Sequence, residues 1–267
     1  MSSSPSPWFQ DAITALSISR NQRVWSIIVS LFSDMARNPG DQISGPLMGR
    51  IIEPIGIKPE AIRVALHRLR NDGWITSHKQ GRTSYYALTE RGLSESAAAS
   101  PRIYARQTEP PENWHVIVLR SMNSARRAEA EKSFAETDTI SLGNGVFLSK
   151  SKHLPDTPDA FLFEGHPTQI PEWLKTQVAA PWQNSYKALA EALETLAQNL
   201  DNQDLNAIQS ATLRTLIVHN WRRILLNHPD LPAGFYPGDW QGITCRDRVM
   251  ELLDRLERPD MAQLENA

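Results

Sequence analysis

The side chains best suited to chemistry lie between Lys58 and Ser84. Arg63, His67, Arg68 and Arg70 fall within one short stretch, and Lys79, Arg82, Thr83 and Ser84 follow close behind. Guanidinium and ammonium groups neutralise phosphates, hydroxyls donate to phosphate oxygens, and Arg or His can also bond the edges of bases. The chemistry open to this set is the holding of a polyanion.

Catalytic constellations do not accompany it. There is no phosphate-binding G-x-x-x-x-G-K-[ST] loop, no G-x-S-x-G elbow and no H-E-x-x-H. Gly143-Asn144-Gly145 is too short for a dinucleotide fingerprint. His153, Asp156 and Asp159 share one loop and could meet a metal, although a solvated polar loop explains them better. Cys245 stands near an expected helix start, where the dipole lowers a thiol pKa, but a cysteine there is more often simply packed. As the one cysteine it excludes an intramolecular disulfide and a thiolate metal cage, and it points to a reducing compartment. No stretch approaches the ~18 apolar residues of a bilayer span. Residues 1–8 are Ser/Pro-rich, without the basic and apolar regions of a secretory signal. The expectation is a cytoplasmic protein with no membrane contact.

The elements that must position the basic set are legible around it. Val24, Ile27, Ile28, Leu31, Phe32 and Met35 mark one face of a helix over 24–36. A second helix is expected from Ser44, its N-cap, to Ile55, with Leu47, Ile51 and Ile52 inward. A third runs from Pro59 to Asn71 and is stopped by Gly73. Its inner side holds Ile62, Ala65, Leu66 and Leu69. Its outer side holds Glu60, Arg63, Val64, His67 and Arg70, with Arg68 on a flank and Lys58 just before it. Residues 74–79 and 83–88 then read as a hairpin about Gln80-Gly81-Arg82. Of Tyr85 and Tyr86, which alternate faces, one belongs to the core and one to the surface. Three helices and a basic hairpin read as a winged helix-turn-helix, with the third helix in a major groove and the wing near phosphate. Winged helices also serve as protein-interaction modules.

Charge divides the 267 residues. Residues 1–106 hold 13 basic and 8 acidic side chains, a net +5, while the remainder holds 15 and 22, a net −7. Only the first third is suited to a polyanion. Hydrophobic residues at 40% and charged residues at 22% are ordinary for a globular chain. Residues 107–113 (QTEPPEN) look like a linker. Beyond it, strands are expected at 114–120, 145–150 and 160–164, and helices at 125–136 and 171–180. This order suggests a ferredoxin-like unit. The last third is helical. Tyr186 to Leu200 has a clear stripe and Leu205 to Ile217 a looser one. A final helix is capped by Thr244 and carries Val249, Leu252, Leu253 and Leu256. The fold class is α+β, mostly helical. Its segments are a winged helix over 1–106, a ferredoxin-like middle domain over 107–182 and a helical domain over 183–267.

These residues carry a family resemblance. Gly56-Ile57, Arg63, His67-Arg68-Leu69, Asp72-Gly73-Trp74, residues 81–86 (GRTSYY) and residues 88–92 (LTERG) resemble the PaaX family. So do residues 221–232 and 236–242, which match its C-terminal "R..L..DP.LP…P.DW.G" pattern, with His228 where the family usually has Asp. The resemblance implies a repressor of phenylacetic acid catabolism genes, acting as a homodimer on double-stranded DNA. It also implies a middle domain similar to a CRISPR-associated ferredoxin-like nuclease. Such a nuclease needs an acidic ligand near the end of its first strand; Arg120 and Ser121 stand there, which speaks against metal-assisted cleavage and for a dimerisation or packing role. The effector it implies is an acyl-CoA such as phenylacetyl-CoA, and no cofactor is implied. CoA is anionic and needs cations and an apolar slot, for which His219, Arg222, Arg223 and Trp240 are the candidates; structural ion pairs would also explain the two arginines. Two rivals stay open. One is an acyl-CoA-processing enzyme with an accessory winged helix. The other is a DNA-binding scaffold indifferent to any effector.

Overall fold

The computed structural model describes residues 6–18, 23–107, 114–120, 124–135, 139–150, 160–198 and 200–266. It is an α+β structure, mostly helical, with two small antiparallel sheets. The chain forms two compact units. One comprises Met1–Arg106, Ser185–Ile224 and Gln241–Ala267, the other Gln107–Asn184 and Leu225–Trp240.

The first unit begins with α1 (Pro7–Leu16), which the sequence reading missed. Ser6 Oγ accepts from Phe9 N–H at 3.2 Å, Pro7 occupies the first helical position, and Phe9, Ala12, Ile13 and Leu16 are buried. That three–one–three spacing is the signal of one helix face. Next come α2 (Val24–Met35), the two-residue β1 (Ile43–Ser44) and α3 (Gly45–Ile52), with Ser44 Oγ capping Leu47 N–H at 3.2 Å. A single 3₁₀ turn, Glu53–Ile55, ends the stretch expected as one helix. α4 (Pro59–Asn71) has the expected limits and buries Ile62, Ala65, Leu66 and Leu69.

β2 (Ile75–Gln80) and β3 (Thr83–Leu88) pair antiparallel with Gln80 opposite Thr83, and β1 joins β3 as a third strand. Gly81 closes the turn at φ +62°, a left-handed conformation that glycine adopts without a Cβ penalty. Tyr86 packs on the core, whereas Tyr85 stacks on His78 with ring centroids 5.6 Å apart. α5 (Glu90–Ile103) starts at Thr89, whose Oγ1 accepts from Gly92 N–H at 3.1 Å and whose hydroxyl donates to Gly73 O at 2.7 Å. A Cβ on Gly92 would come within 2.2 Å of Trp74 O, so only glycine lets this helix start so close to the turn after α4.

In the second unit, β4 (Trp114–Leu119), α6 (Ser124–Ala135), β5 (Thr139–Gly143), β6 (Val146–Ser149) and β7 (Ala160–Gly165) make a sheet of order β5-β6-β4-β7. β5 is an addition to the sequence reading. Ile117, Leu119, Phe134 and Phe147 are its core. α7 (Glu172–Ala179) follows. Residues 225–240 complete this unit through rings: Phe235 lies 4.6 Å from Trp114, and Tyr236 stacks on Trp240 at 4.6 Å and 5°. The polar loop of His153, Asp156 and Asp159, most of the linker (108–113) and Ser121 lie outside the described residues.

The remaining helices are α8 (Gln183–Ala197), α9 (Ala207–Leu225), α10 (Gln241–Arg255) and α11 (Met261–Asn266). α9 runs through Trp221-Arg222-Arg223, which the sequence reading left between helices. α10 starts at Gln241, so Thr244 is an exposed residue inside its first turn rather than its cap. Residues 211–221 of α9 are buried without a break. α9 is therefore the hub of the first unit. Thr212 Oγ1 donates to Ile51 O (2.9 Å), Asn220 Nδ2 to Leu16 O (2.8 Å) and Trp221 Nε1 to Ile103 O (2.8 Å). Ala211 and Leu264 enter one hydrophobic cluster with residues of α2, α3 and α4. This burial is why the late helices share a unit with the first third. Among the described residues no helix is long and apolar enough to cross a membrane.

Candidate nucleic-acid interface

α4 presents its polar side to solvent because its four buried residues repeat at three and four and leave the rest outside. Lys58, Arg63, Val64, His67, Arg68 and Arg70 are all exposed, Val64 at 70%. Val64 is the apolar side chain among these cations and is open to a partner.

The cations on this face are lightly held. Arg63 pairs with Glu60 at 2.9 Å, but both side chains are about 70% exposed. An exposed i,i+3 pair of this kind contributes roughly 0–1 kcal/mol, so a phosphate can displace the glutamate. Arg68 reaches Asp72 at 3.6 Å and lies 5.5 Å over the ring of Trp25. Trp25 thus aims Arg68, a role invisible in the sequence because it needs α2 beside α4. His67 Nδ1 and Asn71 Nδ2 are 3.2 Å apart. Trp74 and the turn after α4 are fixed by Glu95, which accepts from Trp74 Nε1 at 3.0 Å and from Arg91 Nε at 2.6 Å. The guanidinium of Arg91 beside Glu95 holds that carboxyl below its usual range.

Lys79 and Arg82 are exposed at the hairpin tip, and Thr83 and Ser84 are half-buried beside them. Opposed strands place Lys79 across from Ser84.

The four residues expected at an effector are shared between the two units. His219, Arg222 and Arg223 lie on α9 in the first unit, and Trp240 lies in the second. His219 is 1% exposed, its Nδ1 3.5 Å from Ser30 Oγ. Burial, with Arg223 and Arg222 nearby, pushes its pKa down to about 4, so it is neutral near pH 7 and adds no charge for an anion. Arg222 is half-buried, donates to Ser33 Oγ at 3.5 Å, and has its pKa lowered by burial. Arg223 is exposed. Trp240 is enclosed by Tyr236 and His228, the latter 5.4 Å away ring to ring. Cys245 is fully buried and burial pushes its thiol up, so it is a packed thiol rather than a nucleophile.

Sequence reasoning missed a buried ion pair. Arg214 donates Nε to Asp34 Oδ2 at 2.9 Å and Nη2 to Oδ1 at 3.0 Å, with side chains 6% and 1% exposed. Arg214 Nη1 also donates to the carbonyls of Leu253 and Leu256, and Tyr104 O–H to Asp34 Oδ1 at 2.9 Å. The partners are 180 positions apart in the chain, and no local pattern pairs them.

Comparison with known proteins gives the following. Residues 23–92 match the family model "PaaX-like protein", and residues 179–265 match "PaaX-like protein C-terminal domain"; together these cover more than half of the chain. The Transcriptional repressor PaaX of Escherichia coli (strain K12) is 25% identical over 272 residues, covering 93% of this chain and 84% of that protein. A solved structure of an uncharacterized protein from Mycobacterium tuberculosis has a similar fold. Its TM-score is 0.54 at 20% identity, over 86% of this chain and 96% of that one.

Proposed function

The chain belongs to the PaaX family, and from that premise we propose that it is a DNA-binding transcriptional repressor of a phenylacetate-type catabolic operon, released by an acyl-CoA such as phenylacetyl-CoA. The observation that carries this reading is the solvent face of α4, cationic, weakly paired and centred on an exposed valine. In it α2, α3 and α4 are the helix-turn-helix and β2–β3 the wing of a winged helix. Arg63 and His67 read base edges, and Val64 meets a thymine methyl. Lys58, Arg68 and Arg70 meet phosphates. Lys79 and Arg82 hold the backbone from the wing, with Thr83 and Ser84 as donors. The protein acts as a homodimer, so that two recognition helices meet the half-sites of one operator. It is not an enzyme, and its working place is the cytoplasm. The strand order of the second unit supports a ferredoxin-like middle domain.

Fluorescence anisotropy on labelled DNA from upstream of the protein's own gene tests the reading. Phenylacetyl-CoA is titrated in, with free CoA as control. Tight binding lost only with the thioester is the expected result. Tight binding indifferent to both would remove the effector and leave the regulator. Turnover of the thioester by the purified protein would replace the reading with the enzyme.

A further inference from the structure

The first unit contains a cleft of about 600 Å³. It lies where the end of α2, the residues after α5, the middle of α9 and the end of α10 converge. Its lining includes Asp34, Arg37, Tyr104, Arg106, Arg214 and Arg258. A volume of this size suits a small ligand.

Most of the ionic groups here satisfy one another. Asp34 is consumed by Arg214 and Tyr104. Asp254 accepts both contacts of Arg106, at 3.0 and 2.8 Å. Arg37 and Arg258 are different. Arg37 lies 5.5 Å over the Tyr104 ring, and Arg258 donates to the backbone carbonyl of Asp34 at 3.2 Å. Among the described residues neither guanidinium has a carboxylate partner. Glu257, exposed on the rim, is the lining carboxylate left without an ion pair. Two guanidiniums from different chain segments therefore face a concave, polar space whose floor is already neutralised. Forked donors on preformed walls suit a multi-oxygen anion, and a desolvated floor strengthens their field.

We propose that this cleft binds a phosphate-bearing small molecule, with Arg37 and Arg258 as its cationic clamp, and that it is the control site of the repressor. The control role rests on the ligand-released reading above; the anion site stands on the cleft alone. Arg37 follows α2, and α2 packs in one hydrophobic cluster with α4. A ligand drawn between Arg37 and Arg258 pulls on the helix that backs the recognition helix. A ligand whose affinity depends on where α2 sits against α4 is coupled to DNA binding through that packing.

The test uses the full chain, with pyrophosphate as probe in isothermal titration calorimetry at constant ionic strength. The chains compared are wild type, Arg37→Gln, Arg258→Gln and the surface control Lys187→Gln. Wild type and control should bind alike, and each clamp variant should bind about tenfold more weakly, the loss expected of one charge-assisted contact. No heat from wild type up to about 10 mM pyrophosphate, or equal binding in all four chains, would overturn the site. Circular dichroism melts establish folding. Should a glutamine variant melt early, Arg37→Lys, which keeps the charge and loses the fork, gives the answer, and undiminished binding by it would overturn the clamp. DNA anisotropy on the same samples separates the two readings. Clamp-dependent pyrophosphate binding without DNA binding would sink the repressor and spare the site. DNA binding released by phenylacetyl-CoA at the same concentration in all four chains would sink the control role alone.

Discussion

Asp34 and Arg214 leave water together, and each is the other's main compensation. Removing one partner strands the other in a poorly polarisable interior. We expect Asp34→Ala to lose about 3–5 kcal/mol, read as a fall in urea midpoint with unchanged slope. The joint replacement Asp34→Leu with Arg214→Met should lose much less than the two single losses added, because neither charge is left alone. His219 gives a pH-dependent prediction. Folded, it stays neutral down to about pH 4, whereas in the unfolded chain it takes up a proton near the ordinary imidazole value of 6.5. The unfolded state therefore binds more protons between those values. Its contribution is whole above pH 6.5 and is lost as pH falls towards 4, by up to about 3 kcal/mol. His219→Gln should flatten that part of a stability–pH curve; an unchanged slope would rule the histidine out as its source. At this scale the sequence names the types well and their surroundings poorly. Arg63 and His67 stand outside as their helix spacing requires, whereas nothing near His219 in the sequence tells that its ring lies against α2.

α4 was legible from end to end because its pattern is two-sided: four apolar residues at three-and-four spacing, a proline at its start and Gly73 behind it. α9 was not, since its residues 211–221 are buried on every side and leave no contrasting face to read. β1 and β5 escaped for another reason. A two-residue strand has no period at all, and β5 is defined by its pairing with β6, with a bulge between Ser141 and Gly143. On the proposed function, the β2–β3 hairpin and α4 make separable predictions. Arg63→Ala or His67→Ala should relax sequence preference, measured on operator and scrambled duplexes, while Lys79→Ala or Arg82→Ala should weaken both duplexes alike. The same loss of preference in both groups would undo the division. Gly92→Ala tests the junction of α5 with the hairpin. The added methyl meets a backbone carbonyl that cannot move aside, so we expect a loss of about 2 kcal/mol or more, seen as a lower Tm.

Across the whole molecule the net charge of −2 conceals a cationic first third, a feature readable from composition alone. Affinity for DNA should therefore fall with salt, with a log–log slope of roughly −0.9 for each phosphate neutralised, and a flat salt response would speak against the basic surface. The way the units are threaded was not readable in this manner. Apolar stripes tell that a helix is covered, but not which distant segment covers it; here α9 and α11 complete a core begun by α2, α3 and α4. A fragment of residues 1–106 should accordingly melt less cooperatively than the full chain. That threading has a consequence for how the molecule comes into being. A ribosome adds roughly 5–20 residues per second, so α11 is made on the order of ten to thirty seconds after the hairpin. Until α9 and α11 are made, the nascent first third lacks the late part of its hydrophobic cluster, and the apolar surface left open there invites a chaperone. On the proposed function, a chain abandoned before its last helices lacks part of the packing behind α4, and an unfinished copy should compete poorly with finished ones for DNA.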